Sequence, residues 1–80
     1  MKNEGILSLQ IAKKGKKLII ATVNWERENA LRLAELGIFP GEEVQVIGTS
    51  GKMLVICALD AKIALRREDA AKIFVQEAKK

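Results

Sequence analysis

The chain has 80 residues, 49% of them hydrophobic and 30% charged, which is enough for one small core and too little for two domains or a deep catalytic cleft, because a domain of this size buries only about 60% of its unfolded surface. It contains no histidine and a single cysteine, so an internal disulfide framework, His-based acid/base relays and zinc-finger arrangements are excluded. Fourteen Lys and Arg against ten Asp and Glu leave a formal charge of +4, which favours acidic partners without naming one.

Met1 to Ser8 carries a charge of each sign and then an apolar stretch broken by Ser8 and Gln10, which is not the apolar region of a signal peptide. No run approaches the ~18 apolar residues of a membrane span. A soluble cytoplasmic protein with a reduced thiol and no direct membrane insertion is the expectation. Ile6 to Ala12 predicts a short helical turn leading into Lys13-Lys14-Gly15-Lys16-Lys17, where Gly15 marks a turn between two lysine pairs. Leu18 to Val23 is a β-branched apolar run of strand length, ended by Asn24. From Arg27 to Leu36 the spacing becomes helical: Ala30, Leu33, Ala34 and Gly37 share a face, with Leu31 and Leu36 flanking it and Glu28, Arg32 and Glu35 projecting elsewhere.

Gly37 suits the left-handed residue that closes a helix, and Pro40 cannot continue one. Ile38-Phe39-Pro40-Gly41 predicts a tight turn, with Pro setting φ at its first central position and Gly supplying φ > 0 at its second, a type II signature. Val44 to Ile47 and Met53 to Leu59 predict two strands joined by a hairpin loop over Gly48 to Lys52. A tight connection at Asp60-Ala61 leads to a strand at Lys62 to Leu65, a helical turn at Arg67 to Ala71 near Glu68, and a last strand at Lys72 to Gln76. The charged tail Glu77 to Lys80 is expected to fray. About five short strands and one helix point to a small, closed or nearly closed β-barrel, since closure removes unpaired strand edges. The whole chain reads as one domain.

The segment Leu31-Arg32-Leu33-Ala34-Glu35-Leu36-Gly37-Ile38-Phe39-Pro40-Gly41-Glu42-Glu43-Val44-Gln45-Val46, followed by Ile63-Ala64-Leu65-Arg66-Arg67-Glu68-Asp69-Ala70-Ala71-Lys72-Ile73-Phe74-Val75, closely resembles the FeoA (ferrous iron transport protein A) family, and Leu7-Ser8-Leu9 with Gly15 extends the match over nearly the whole chain. The resemblance implies an SH3-like barrel that acts as a small cytosolic accessory to the membrane ferrous iron transporter FeoB, whose cytosolic part carries a GTPase domain. It also implies kinship with the C-terminal domain of diphtheria-toxin-repressor-type metal regulators. Two departures stand out: the Gly48 to Lys52 loop is shorter than in many relatives, and Leu59-Asp60-Ala61 replaces a common Arg-Gly turn.

The ligand count gives no metal site and no cofactor. Iron(II) outside haem favours imidazole with carboxylate, imidazole is absent, and the adjacent acids Glu42 and Glu43 would point to opposite faces of a strand. Cys57, within Val55 to Leu59, reads as a small core residue. Lys13, Lys14, Lys16 and Lys17 form the densest basic patch, yet only Trp25, Phe39 and Phe74 could stack on bases, and Phe74 reads as core, so nucleic acid is not the expected partner. Trp25 is either a staple that fastens the helix start or a contact anchor with Arg27 and Arg32 as rim charges. Leu36 and Phe39 are similar candidates with a stronger claim from the core. Arg66-Arg67 beside Glu68-Asp69 reads as a local charge network. The expected function is therefore a regulator, not an enzyme, that docks on the transporter's cytosolic domain; an RNA- or ribosome-associated barrel using the lysine loop and a self-associating protein are the alternatives.

Overall fold

The computed structural model describes residues 6–78. Residues 1–5, on which part of the reading of Met1 to Ser8 falls, and Lys79 and Lys80 lie outside the described residues. Six strands and two helices follow in order: β1 (Leu7–Ser8), a 3-10 turn (Leu9–Ile11), β2 (Lys17–Val23), α1 (Arg27–Ala34), β3 (Glu43–Ser50), β4 (Met53–Ala58), β5 (Ala61–Arg66), α2 (Arg67–Ala70) and β6 (Ile73–Glu77). All pair antiparallel in one sheet of order β1-β6-β2-β3-β4-β5. The architecture is mainly β and SH3-like.

Period-two alternation decides which side chains form the core. In β4, Leu54, Ile56 and Ala58 turn inward, and in β6 Ile73 and Val75 do so. They meet Leu18 and Ile20 of β2, Val44 and Val46 of β3, and Leu65 of β5, while Leu9, Ile38 and Ala70 fill the ends. Register shifts at Ala21 in β2 and Ile47 in β3 insert one extra residue each, and such bulges bend strands around a core.

The structure corrects several expectations. β1 is a sixth strand, too short to show alternation; the Ser8 hydroxyl accepts from the Gln10 N–H at 3.2 Å and lies 3.3 Å from the Ala71 carbonyl, its acceptor. The sheet is open, because nothing among the described residues pairs β1 with β5, and α2 carries the chain across that gap. The β3–β4 hairpin runs further than its Gly-Thr-Ser composition suggests: Thr49 and Ser50 pair with Leu54 and Met53, leaving the two-residue turn Gly51-Lys52. Regular helix ends at Ala34 rather than Leu36. The last turn tightens instead: the Gly37 N–H donates to Ala34 O (3.0 Å) and the Ile38 N–H to Leu33 O (3.1 Å), with Gly37 at φ +98°, which is the paired bonding of a Schellman cap.

The expected type II turn follows, spanning 39–42 rather than 38–41: the Glu42 N–H donates to Phe39 O at 3.1 Å and Gly41 has φ +95°, as this turn type requires. Phe74 and Cys57 are not core residues, since the same alternation that buries their neighbours turns both outward to half-buried positions. Glu77 belongs to β6 and the Ala78 N–H donates to Lys17 O at 3.0 Å, so the tail is fastened that far rather than frayed.

Candidate functional site

Between α1 and the β4–β5–α2 corner lies a groove of about 390 Å³. Trp25 lines it. Its ring is half-buried against the core, and its indole N–H donates to the Asp69 carbonyl in α2 at 3.1 Å. This hydrogen bond is the polar partner a half-buried indole needs, and it ties the start of α1 to the element that crosses the sheet gap. One wall is α1, where Asn29, Arg32 and Leu33 fall at helical spacing. The opposite wall is Ala64, Leu65 and Arg66 of β5 with Met53 of β4, which pairs with Arg66.

The helix sits lightly on the sheet. It has no fully buried residue, and Leu31 is 61% exposed. Leu33 packs on the core while Arg32 is exposed at the groove mouth. Across from it, Arg66 Nε lies 3.5 Å from Asp69 Oδ2 and Arg66 Nη1 lies 3.6 Å from Glu68 Oε2, both in solvent-exposed geometry. Arg66, Glu68 and Asp69 thus form the expected local charge network without Arg67, which makes no ion pair among the described residues, and such exposed pairs contribute about 0–1 kcal/mol. Among the described residues no ion pair involves Arg32.

Of the five residues singled out as partner contacts, the groove brings together Trp25 and Arg32. Arg27 is exposed at the start of α1 and does not line it. Leu36 and Phe39 sit beyond the other end of the helix, 47% and 37% exposed. The core's claim on them fails because Ile38 between them takes the inward position, 1% exposed. Leu59, 58% exposed, lies over Gly37, so the apolar surface there is shared with the β4–β5 turn. That turn is built from Leu59 at φ +52° and Asp60 at φ +66°, a conformation that usually selects glycine or asparagine. Sequence reading missed Asn29, Ala64 and Met53 because only the strand register brings them to α1.

Lys13, Lys14, Lys16 and Lys17 are all exposed. Their loop is tightly fastened: the Gly15 N–H donates to Val46 O (2.9 Å), Gly15 O accepts from Gln45 Nε2 (3.0 Å), and Lys16 pairs with Glu77 at 3.1 Å. Leu18 pairs with Glu77 and Val23 with Ile73, so this loop and Trp25 are at opposite ends of β2, about 20 Å apart at strand rise. Phe74, opposite Thr22, is also toward the Trp25 end. A second recess, about 300 Å³, is lined by Glu42, Glu43, Cys57 and Asp60. Among the described residues no group of three or more His, Cys, Asp or Glu is arranged to hold a metal ion, and no helix is long and apolar enough to cross a membrane.

Comparison with known proteins gives this geometry a family. The FeoA domain model matches residues 7–77. The chain belongs to the FeoA domain family. Among solved structures, the iron uptake regulatory protein FeoA superposes with a TM-score of 0.81 at 19% identity, covering 91% of this chain and 99% of that one. FeoA from Chlorobium tepidum gives 0.83 at 21% identity, covering 91% and 71%. T. acidophilum IdeR gives 0.79 at 15% identity, covering 98% of this chain and 37% of that one, so the same fold occurs there as part of a longer protein. At these identities the likeness establishes the fold. A comparison with curated proteins returns no match.

Proposed function

We propose that this FeoA-family chain is a small cytosolic accessory protein of ferrous iron uptake that docks on the cytosolic, GTPase-containing part of a FeoB-type transporter. The reading rests on family membership over residues 7–77, and the observation that carries the docking mode is the Trp25–Arg32 groove. A half-buried indole in a groove beside an exposed arginine joins two of the residue types enriched among interface hot spots.

The mechanism needs no catalytic group. A bound module biases its partner by contacting one conformational or nucleotide state better than another, and the shift equals that difference in affinity. In this reading Trp25 and Leu33 supply apolar contact, Arg32 supplies a charge-assisted hydrogen bond, and Arg27 contributes at the rim. Leu36 and Phe39, off the groove, would extend the footprint along the far end of α1. Ferrous iron is then the transporter's cargo and not a ligand of this chain.

Titration of the transporter's cytosolic domain, with and without guanine nucleotide, tests the proposal. Arg32→Glu is the informative variant, because Arg32 is exposed and unburdened by packing, whereas Trp25→Ala would also loosen α2. Arg32→Glu should weaken binding by about tenfold or more while leaving thermal unfolding unchanged. Unaltered affinity would remove the groove from the interface.

A further inference from the structure

We propose that the groove receives an extended, acidic segment of a protein partner, which pairs with the free edge of β5 as a seventh strand. This deepens the docking reading and rests on it only for the partner's identity.

The first observation is an edge that is unpaired among the described residues. β5 terminates the sheet, and no hydrogen bond described beyond its pairing with β4 reaches Ala61–Arg66. An edge of this kind offers a row of N–H and C=O groups to an incoming strand. The second is its place in the groove. Ala64, Leu65 and Arg66 are consecutive, and consecutive strand side chains point to opposite faces. A groove that touches all three, and Met53 of β4 beside Arg66, crosses the end of the β4–β5 pair and reaches the edge of β5, with α1 as its other wall.

Charge and size then select the occupant. On the exposed face of β5, Lys62 and Arg66 flank Ala64; Arg32 of α1 shares the groove with Ala64 and Arg66, and Lys62 lies further along the strand, outside the groove lining. A strand laid along this edge places residues directly opposite Lys62, Ala64 and Arg66 on the same face. Acidic side chains complement the two ends. In the middle, Ala64 is small, so a large apolar side chain fits over it against Trp25 and Leu33. The pattern is acidic, any, large apolar, any, acidic. Arg66 already contacts Glu68 and Asp69 through exposed pairs, so the acid opposite Lys62 contributes more than the acid opposite Arg66. A second copy of this chain fits less well: self-pairing centred on Ala64 sets Lys62 against Arg66 of the other molecule, and like charges in direct opposition repel.

The test uses the full chain and a capped peptide of about seven residues with glutamate at its second and sixth positions, leucine at the fourth, and valine or threonine elsewhere. Backbone amide resonances should move along Ala61–Arg66 and at Arg32, and the β5 amides should exchange more slowly. Lys62→Glu, on an exposed side chain, should weaken binding by about tenfold. A peptide methylated on alternate backbone nitrogens facing β5 should not bind, because it lacks the ladder donors.

Equal binding of the methylated peptide, an unchanged affinity for Lys62→Glu, shifts centred on Lys13 to Lys17, dimerisation through β5 without peptide, or no binding at about 1 mM would each overturn the proposal. So would an RNA oligonucleotide that moves the same amides equally well. If the transporter domain binds while β5 stays silent, the strand proposal fails and the docking reading stands; if the peptide binds and the transporter domain does not, only the partner's identity is lost.

Discussion

Gly37→Ala probes the joint between helix and sheet, where two independent costs can be separated. The first is conformational. Gly37 sits at φ +98°, and a residue with a Cβ in a left-handed conformation loses about 1–2 kcal/mol. The second is steric: a Cβ placed on Gly37 would lie 2.7 Å from both Cγ and Cδ1 of Leu59, inside van der Waals contact. Leu59 is exposed and can rotate away, so relief costs about 0.5–1.5 kcal/mol of off-rotamer strain rather than a core rearrangement. The expected loss is about 1.5–3.5 kcal/mol. With an m-value of about 1 kcal/mol/M in urea for a chain this short, the unfolding midpoint should fall by about 1.5–3.5 M. A double-mutant cycle with Leu59→Ala should return the steric part and leave the conformational part. A midpoint shift below about 0.5 M, or complete rescue by Leu59→Ala, would refute this account of the joint.

Leu59→Gly alone should be neutral to stabilising by about 1 kcal/mol in urea unfolding, because glycine relieves the positive φ at the first turn position and the lost side chain is exposed. Ser8→Ala should lower stability by about 1 kcal/mol, since the hydroxyl caps the 3-10 turn and reaches the Ala71 carbonyl; differential scanning calorimetry would show it as a fall of about 4–8 °C in Tm. Replacing Lys13, Lys14 and Lys17 with Ala should leave binding to the transporter domain within about twofold at 0.15 M salt, because the loop lies at the opposite end of β2 from Trp25; a calorimetric titration that loses binding would move the interface to the lysine loop.

The sequence was most legible where a local rule had only one solution. Gly37 after a helical face, and Pro40-Gly41 after that, specify their cap and turn through φ alone, and both are present as expected. It was least legible where pairing between distant segments decides the outcome. Leu7–Ser8 is a strand only because Val75 and Phe74 lie beside it, and Gly48 to Ser50 is strand only because Met53 to Val55 holds it. Phe74 and Cys57 were misplaced by judging apolar runs as wholly buried, when the alternation set by Ile73, Val75, Ile56 and Ala58 turns them outward. The candidate site divides in the same way. Trp25 and Arg32 stand out in the sequence as an anchor and a charge, whereas Ala64 and Met53 carry no signal until the β4–β5 register places them across from α1.

The central claim is that a transporter domain docks at the Trp25–Arg32 groove in a state-dependent way. Amide perturbation mapping of this chain, with the cytosolic domain of a FeoB-type transporter added in guanine-nucleotide-bound and nucleotide-free forms, tests this proposal most directly. The account predicts shifts at Trp25, Asn29, Arg32 and along β5 that saturate at different concentrations in the two states. An unperturbed spectrum in both states, or shifts confined to Lys13 to Lys17, would contradict it.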